Sequence, residues 1–241
     1  MMTRSALEVR DEVVGSEADR SVRGWAIAAG AGLVLMAVLA GFGNFVAVDG
    51  LVTAGDADRT ARDVLASEGL FRAGIACFFV VVLLDVLVAV ALYRIFSPVS
   101  RTVSLLTATF RFVYAGVFLV SLGQLVTGLR LLDAQSPGDA LGEFTAFSDL
   151  WMLGLGLFAV HLLLLGYLAY RSGFVPKVLA VLLAIAGLGY LTDTAGAVFA
   201  RELTWSSYTF AGEVLLALWL LIRPGAAVSG RVRRAPARAT H

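Results

Sequence analysis

Long apolar stretches alternate with short polar connections along most of this chain. A helix that rises about 1.5 Å per residue needs about 20 apolar residues to cross the ~30 Å hydrocarbon core of a bilayer. Six stretches fit that description, although the last one is short. They predict membrane-spanning helices at about residues 25–48, 70–92, 102–129, 149–170, 177–200 and 208–223.

The hairpin from Phe158 to Asp193 is the clearest of these elements. Two apolar runs flank the polar turn from Arg171 to Lys177, and Pro176 stands where a first-turn proline is tolerated. Pro98 likewise ends the second span and separates it from the third. We therefore predict an all-α integral membrane bundle of six transmembrane helices.

Polar segments flank the predicted bundle at both ends. Residues 1–24 mix arginines with Asp and Glu and contain no apolar core of a signal peptide, so we predict a cytoplasmic arm that is disordered or loosely helical. Residues 224–241 are predicted to form a basic cytoplasmic tail. The pattern of the first connection, Asp49 to Gly69, does not decide whether that connection contains a surface helix. Ser148 is a candidate N-cap for the fourth span.

The distribution of basic residues predicts the orientation of the bundle. With six spans both termini lie on one side. That side collects most of the 19 Lys and Arg residues, whereas the opposite connections carry Arg59, Arg62, Arg130 and Arg201. Because basic residues accumulate on the cytoplasmic side of membrane proteins, we expect both termini in the cytoplasm and the protein in the cell membrane.

Composition strengthens the membrane prediction and narrows the chemistry. Hydrophobic residues make up 59% of the chain, charged residues 15%, and the mean hydropathy is +0.85, which excludes an ordinary soluble domain. One cysteine, Cys77, gives no internal disulfide framework. One intramembrane histidine, His161, does not supply the two ligands of a bis-histidine haem. We expect the lipid bilayer as a partner, no metal, no cofactor and no nucleic acid.

Ionisable residues inside the predicted spans are the candidate functional residues, because each costs roughly 2.5–3.5 kcal/mol at membrane depth. Asp85 and Arg111 stand equally far in sequence from Pro98. An antiparallel hairpin therefore brings them to a similar depth, roughly 12–15 Å from the turn, as an ion pair. Counted in the same way from Arg171 and Arg223, His161 and Glu213 reach a similar depth. The candidate intramembrane polar site comprises Asp85, Arg111, His161, Asp193 and Glu213.

Asp193 is expected nearer the outer face than the other four, with Arg72 as an outer-side partner. Three carboxyl groups then face one deep arginine and one histidine. This excess of carboxyls leaves two interpretations open. The polar layer either holds the helices together, or it binds a small polar or anionic ligand or a proton.

A family resemblance appears at these residues. The segments HLLLLGYLAYRSGFVPKVLAVLLAIAGLGYLTD, ALYRIF, FRFVYAG and GEVLLALWLLIRPG resemble the bacterial multi-pass membrane family known as domain of unknown function 4386, over about residues 25–225. Arg111 and Glu213 fit its pattern. Members often carry an acidic residue three positions after the arginine, where this chain has Tyr114, so Asp85 is expected to supply the carboxylate. The hairpin matches at His161, Gly166, Tyr167, Tyr170, Ser172, Gly173, Pro176, Tyr190 and Asp193.

Two classes of function follow from these observations. The first is a small transporter or proton-coupled permease whose layer around Arg111 binds a polar or anionic solute. The alternative is a structural or regulatory membrane protein that acts through helix packing and partner contacts, within one chain or between chains. We assign no catalytic residue, because the chain contains no GxSxG, HExxH or nucleotide-binding loop.

Overall fold

The computed structural model describes residues 3–199 and 211–226, with side chains from residue 20 onward. The described chain folds into seven α-helices. A π-helix, Phe42–Val48, continues the first of them. The helices are α1 (Thr3–Gly41), α2 (Ala57–Ala66), α3 (Glu68–Phe96), α4 (Arg101–Asp133), α5 (Pro137–Ser172), α6 (Lys177–Val198) and α7 (Ala211–Ile222).

Five helical segments of the described chain are long and apolar enough to cross a membrane: Arg20–Val48 and the four helices α3 to α6. The sixth predicted span is represented by α7, which has 12 described residues and is therefore only ~18 Å long. Its predicted start, residues 208–210, and the predicted tail from residue 227 onward lie outside the described residues. The structure thus supports a multi-pass membrane protein with five candidate spans and a shorter apolar helix.

Two predicted boundaries differ from the structure. First, α1 begins at Thr3 and continues into the predicted first span, so the described part of the arm is helical, which is one of the two forms that the sequence left open. Second, the expected connection between the third and fourth spans is mostly helix, because α5 begins at Pro137 rather than at residue 149. A proline at the first helical position and an acidic residue in the first turn, Asp139, both favour a helix start. These polar turns extend the helix beyond its apolar part, which is why hydropathy did not reveal them.

The connection from Asp49 to Gly69 contains the surface helix that the sequence left open. α2 is capped by Asp56, whose carboxylate accepts a hydrogen bond from the Arg59 backbone N–H at 2.9 Å. Thr60 and Val64 are the buried residues of this amphipathic helix. They face the bundle, where α2 packs mainly against α5.

The turn between α5 and α6 follows the predicted hairpin. Gly173 ends α5 in the left-handed conformation at φ 76°, which glycine adopts without steric cost. The Ser172 hydroxyl accepts hydrogen bonds from the backbone N–H groups of Phe174 and Val175. Within the hairpin the helices approach closely at Gly166, where a Cβ atom would lie 2.9 Å from the Ala180 carbonyl oxygen. The predicted hairpin is therefore tightly packed.

The five long helices and α7 form a closed ring. Each one packs against its neighbours in the order α1, α3, α4, α5, α6, α7, and α7 returns to α1. The outward faces carry large apolar side chains, such as Leu87 at 63% exposure and Val120 at 65%. An apolar outer surface of this kind is what a lipid-facing bundle requires.

The two ends of the bundle differ in what fills the interior. We call the end that carries the 97–100 and 173–176 connections the turn side, and the opposite end, covered by α2, the α2 side. Toward the α2 side, Phe78 packs against three rings at centroid distances of 5.4–5.7 Å. We define the aromatic cluster as Phe78, Phe118, Phe147 and Trp151.

Candidate functional site

Arg111 is the largest side chain of the described residues that is completely buried. It lies ten residues into α4, on the face that also carries Ser104 and Thr107 toward the turn side. A guanidinium remains charged under all ordinary conditions, so its burial demands partners from the neighbouring helices. Those partners come from α1, α3 and α5.

Asp85 of α3 provides the counter-charge. Nη2 of Arg111 lies 2.7 Å from Oδ1 of Asp85, and the exposed fractions of the two side chains are 2% and 0%. The N–H bond is not directed at that oxygen, so the contact is an ion pair without a well-aligned hydrogen bond. No described group donates a hydrogen bond to Oδ2 either. The expected pairing of Asp85 with Arg111 is therefore present, and the carboxylate is left with unused acceptor capacity.

His161 of α5 is the second polar partner of the arginine. Its Nδ1 lies 2.8 Å from the carbonyl oxygen of Thr107, which accepts only, so Nδ1 carries the hydrogen. Nε2 lies 3.2 Å from Nη1 of Arg111 and is then the acceptor. This pattern corresponds to a neutral imidazole with one defined tautomer. His161 thus joins α4 and α5 while adding no charge to the site.

Apolar and soft groups complete the surroundings of Arg111. The ring of Phe158 lies under the guanidinium, with Cζ 5.2 Å from its centroid, and also stacks on the His161 ring. Nη2 donates a long contact of 3.7 Å to the sulfur of Met36 in α1. A thioether is a weak acceptor, so this N–H group of Nη2, the nitrogen that also faces Asp85, is held weakly, and Nε has no hydrogen-bond partner among the described residues.

Glu213 of α7 lies within the electrostatic range of both Arg111 and Asp85, and Tyr190 of α6 is a neighbour of its carboxyl group. Glu213 remains partly exposed, in contrast to Asp85. The four predicted residues Asp85, Arg111, His161 and Glu213 therefore lie in one region. With Met36 and Tyr190 included, all six helices of the ring contribute to it.

Asp193 and Arg72 do not form the pair that the sequence suggested for the outer side. Arg72 contacts Glu68, one turn earlier in α3, with 2.6 Å between Nε and Oε1. Asp193 is buried within α6, one turn beyond Tyr190, with 2% exposure. The physical reason is proximity along the helix, since residues four apart share a face and meet without any tertiary contact.

Some members of the site were not predicted from the sequence. Met36 and Phe158 were not identified, because apolar residues within apolar spans give no signal of a charged neighbour. Tyr114 was noted only as a departure from the family pattern. In the structure its hydroxyl accepts a hydrogen bond from Nε1 of Trp151 at 3.0 Å, so it joins the site to the aromatic cluster.

The arrangement offers two chemical capabilities. A buried guanidinium with one weakly bound N–H group and an Nε that has no described acceptor is suited to an anionic or polar group, because it supplies several N–H donors in one plane. A buried carboxylate with a free oxygen is suited to accept a proton. Both are found at the centre of the helical ring.

Comparison with known proteins identifies the family of the chain. The model of the family described as "Domain of unknown function (DUF4386)" matches residues 28–223. The chain belongs to this family. The match confirms the resemblance inferred from the hairpin and covers every helix of the DUF4386 bundle except α1 before residue 28.

A relative occurs in the archaeon Archaeoglobus fulgidus, where it is described as an uncharacterised protein. It is 39% identical over 145 residues, which correspond to 60% of this chain and 80% of the relative. This relative is archaeal, so the similarity extends beyond the bacterial proteins expected from the resemblance. No solved structure matches the chain.

Proposed function

We propose that this DUF4386 protein is a small transporter or proton-coupled permease of the cell membrane. In this proposal Arg111 binds the anionic or polar part of a solute, and Asp85 exchanges a proton. The observation that carries the proposal is the Arg111–Asp85 pair, which is buried where six helices meet while Asp85 retains an oxygen without a described hydrogen-bond donor.

The energetics support a use beyond helix packing. An ionisable group costs roughly 2.5–3.5 kcal/mol at membrane depth, and apolar side chains pack as well without that cost. Three surrounding contacts involve weak or neutral groups, namely the Met36 sulfur, the neutral His161 and the Phe158 ring. A solute that offers an anionic oxygen would be a stronger partner for the guanidinium than the thioether.

The proposal includes six crossings with both termini in the cytoplasm. The apolar helix α7 would be the turn-side part of the sixth crossing, since Gly212 lies against Leu182 in the first part of α6. A green fluorescent protein fused after residue 241 reports this orientation, because that protein fluoresces only when it folds in the cytoplasm. A non-fluorescent fusion that is present at normal levels in the membrane would contradict the orientation.

Thermal unfolding of the purified protein in detergent tests the solute site. The probes are the sodium salts of acetate, lactate, phosphate and sulfate, with sodium chloride as the reference. A ligand at 100 times its Kd stabilises by about 2.7 kcal/mol, which raises Tm by roughly 5–10 °C for a chain of this length. We expect one of these anions to raise Tm in the wild type and in Arg72→Gln, but not in Arg111→Gln.

Vesicles then separate binding from transport. The stabilising anion is expected to enter vesicles that contain the wild-type protein and not those that contain Arg111→Gln. An anion that stabilises Arg111→Gln as much as the wild type would place binding elsewhere and overturn the proposed site.

The second candidate is a structural role for the polar layer. It is favoured by one observation, namely that Arg111 contacts side chains from three other helices and so links α1, α3 and α5 to α4. If none of the anions stabilises the wild type and the variants of the layer are all unstable to a similar degree, this candidate is the better account.

A further inference from the structure

Besides Oδ1 of Asp85, which lies against Nη2 of Arg111, and Nε1 of Trp219 in α7, three buried polar atoms of the bundle lack hydrogen-bond partners among the described residues. They are Oδ2 of Asp85, Nε of Arg111 and Oγ of Ser104. Their residues are at most 1% exposed. A buried polar group without a partner costs free energy, so native structures normally satisfy such groups with protein atoms or with ordered water.

The three atoms follow one direction along the bundle. Ser104 and Arg111 are seven residues apart in α4, which is about two helical turns, so they share a face and lie about 10 Å apart along the axis. Thr107 stands between them and turns its carbonyl toward His161. Ser104 itself lies in the first turn of α4. The polar atoms therefore lead from the Arg111–Asp85 pair toward the turn side.

The opposite direction is closed by rings. On the α2 side of the pair, Phe118 and Trp151 lie 5.2 Å apart and Phe78 packs against both. In this half Ser121 donates to the Phe118 carbonyl oxygen at 2.7 Å, and on the turn side Thr107 donates to the Val103 carbonyl oxygen at 2.8 Å, so Ser104 is the buried hydroxyl of α4 without a described partner. On the turn side the described residues contain one stacked ring pair, Phe96 with Phe174, and Phe174 is partly exposed.

We propose that water reaches the Arg111–Asp85 pair from the turn side only, along the face of α4 that carries Ser104 and Thr107. The aromatic cluster seals the α2 side. Water is the ligand that these atoms fit, because each buried molecule makes about three hydrogen bonds, so a short chain of them can donate to the carboxylate, accept from Nε and reach the Ser104 hydroxyl.

This inference deepens the proposed function, because it names the side from which a proton reaches Asp85. The ionisable groups that face the pair are His161 of α5, Tyr114 of α4 and Glu213 of α7. His161 and Glu213 belong to other helices, and Tyr114 shares the face of Thr107 but lies beyond Arg111, on the α2 side of the pair. The route therefore depends on hydroxyl and carbonyl groups and needs no additional charge.

Two buried serines on α4 provide a matched test. Ser104 and Ser121 are 1% and 0% exposed, and they differ in that Ser121 already has a partner. Each is changed to cysteine in a Cys77→Ala background, and the membranes are treated with N-ethylmaleimide. Because the reactive species is the thiolate, which forms only where water is present, we expect Ser104→Cys to react at least about tenfold faster than Ser121→Cys. The product is measured by its mass.

Thr107→Cys guards against a Ser104→Cys variant that fails to accumulate, since it is on the same face and is also buried. If Ser104→Cys and Thr107→Cys react no faster than Ser121→Cys, one-sided access is overturned. This result is separate from anion-dependent stabilisation. Reactive cysteines without anion binding would leave the water route intact and reject the transporter, whereas anion binding with unreactive cysteines would do the reverse.

Discussion

Two arginine–carboxylate pairs of nearly equal length lie in different parts of the bundle. Arg111 and Asp85 are 2.7 Å apart, join two helices and have side-chain exposures of 2% and 0%. Arg72 and Glu68 are 2.6 Å apart, belong to one helix turn and have exposures of 57% and 39%. Judged by distance alone, the two pairs would contribute equally to the free energy of unfolding.

The surroundings of the two pairs make their contributions to stability different. At the exposed pair, competing solvent and side-chain entropy reduce the net contribution to a few tenths of a kcal/mol. At the buried pair, the ions attract each other more strongly, but their removal from water has cost several kcal/mol per ion. Breaking a buried pair is thus strongly destabilising, and keeping it also costs free energy of desolvation. Its presence calls for an explanation that the exposed pair does not need.

The largest effect is expected for Arg111→Gln, which leaves Asp85 buried without its counter-charge. The free energy of unfolding should fall by about 3–5 kcal/mol, as for other broken buried pairs. Thermal unfolding of wild type and variant in the same detergent measures the loss. A loss below about 1 kcal/mol would mean that the carboxyl group becomes neutral readily when alone, which would weaken the contrast between the two pairs.

The second-largest loss of stability is expected when His161, the neutral partner of Arg111, is removed. His161→Leu deprives Nη1 of Arg111 of its acceptor and the Thr107 carbonyl of its donor, so we expect a loss of about 1.5–3 kcal/mol. His161→Gln keeps one donor and one acceptor and serves as the conservative control. If leucine and glutamine are tolerated equally, the hydrogen bonds of His161 contribute nothing and packing alone fixes this position.

The buried Arg111–Asp85 pair and its surroundings could be predicted in part from the sequence. Equal spacing around Pro98 is enough to bring Asp85 and Arg111 to one depth, because an antiparallel hairpin has little freedom in register. The same count correctly placed His161 beside the arginine. Five of the six predicted spans correspond to helices long and apolar enough to cross a membrane, since hydrocarbon thickness imposes a minimum length on apolar segments.

Other features gave no such signal. Hydropathy marks where lipid begins and not where a helix begins, so the polar first turns of α5 were predicted as a connection. The π-helix at residues 42–48 has a composition like that of the helix before it. Met36 faces a guanidinium because of how α1 packs against α3 and α7, and an apolar span contains nothing that predicts it. The exposed partner of Arg72, in contrast, is Glu68, which lies four residues earlier in the same helix.

A double variant sharpens the comparison by removing both buried charges together. Asp85→Leu with Arg111→Met should unfold within about 1 kcal/mol of the wild type, because apolar replacements of buried pairs are often neutral or stabilising. Asp85→Leu alone should resemble Arg111→Gln. A double variant that loses the sum of the two single effects would show that the pair is needed for packing, and the structural candidate would then be preferred.

The smallest effect is expected for Arg72→Gln, at most about 0.5 kcal/mol. Salt distinguishes this small loss from the large one. Raising ionic strength from 0.1 to 1 M shortens the Debye length from about 10 Å to about 3 Å, so the Arg72→Gln deficit should vanish while the Arg111→Gln deficit persists. If the Arg111→Gln deficit also shrinks with salt, mobile ions reach the buried pair. The turn-side route would then be wide enough for a hydrated ion, and the two pairs would differ in depth but not in access to solvent.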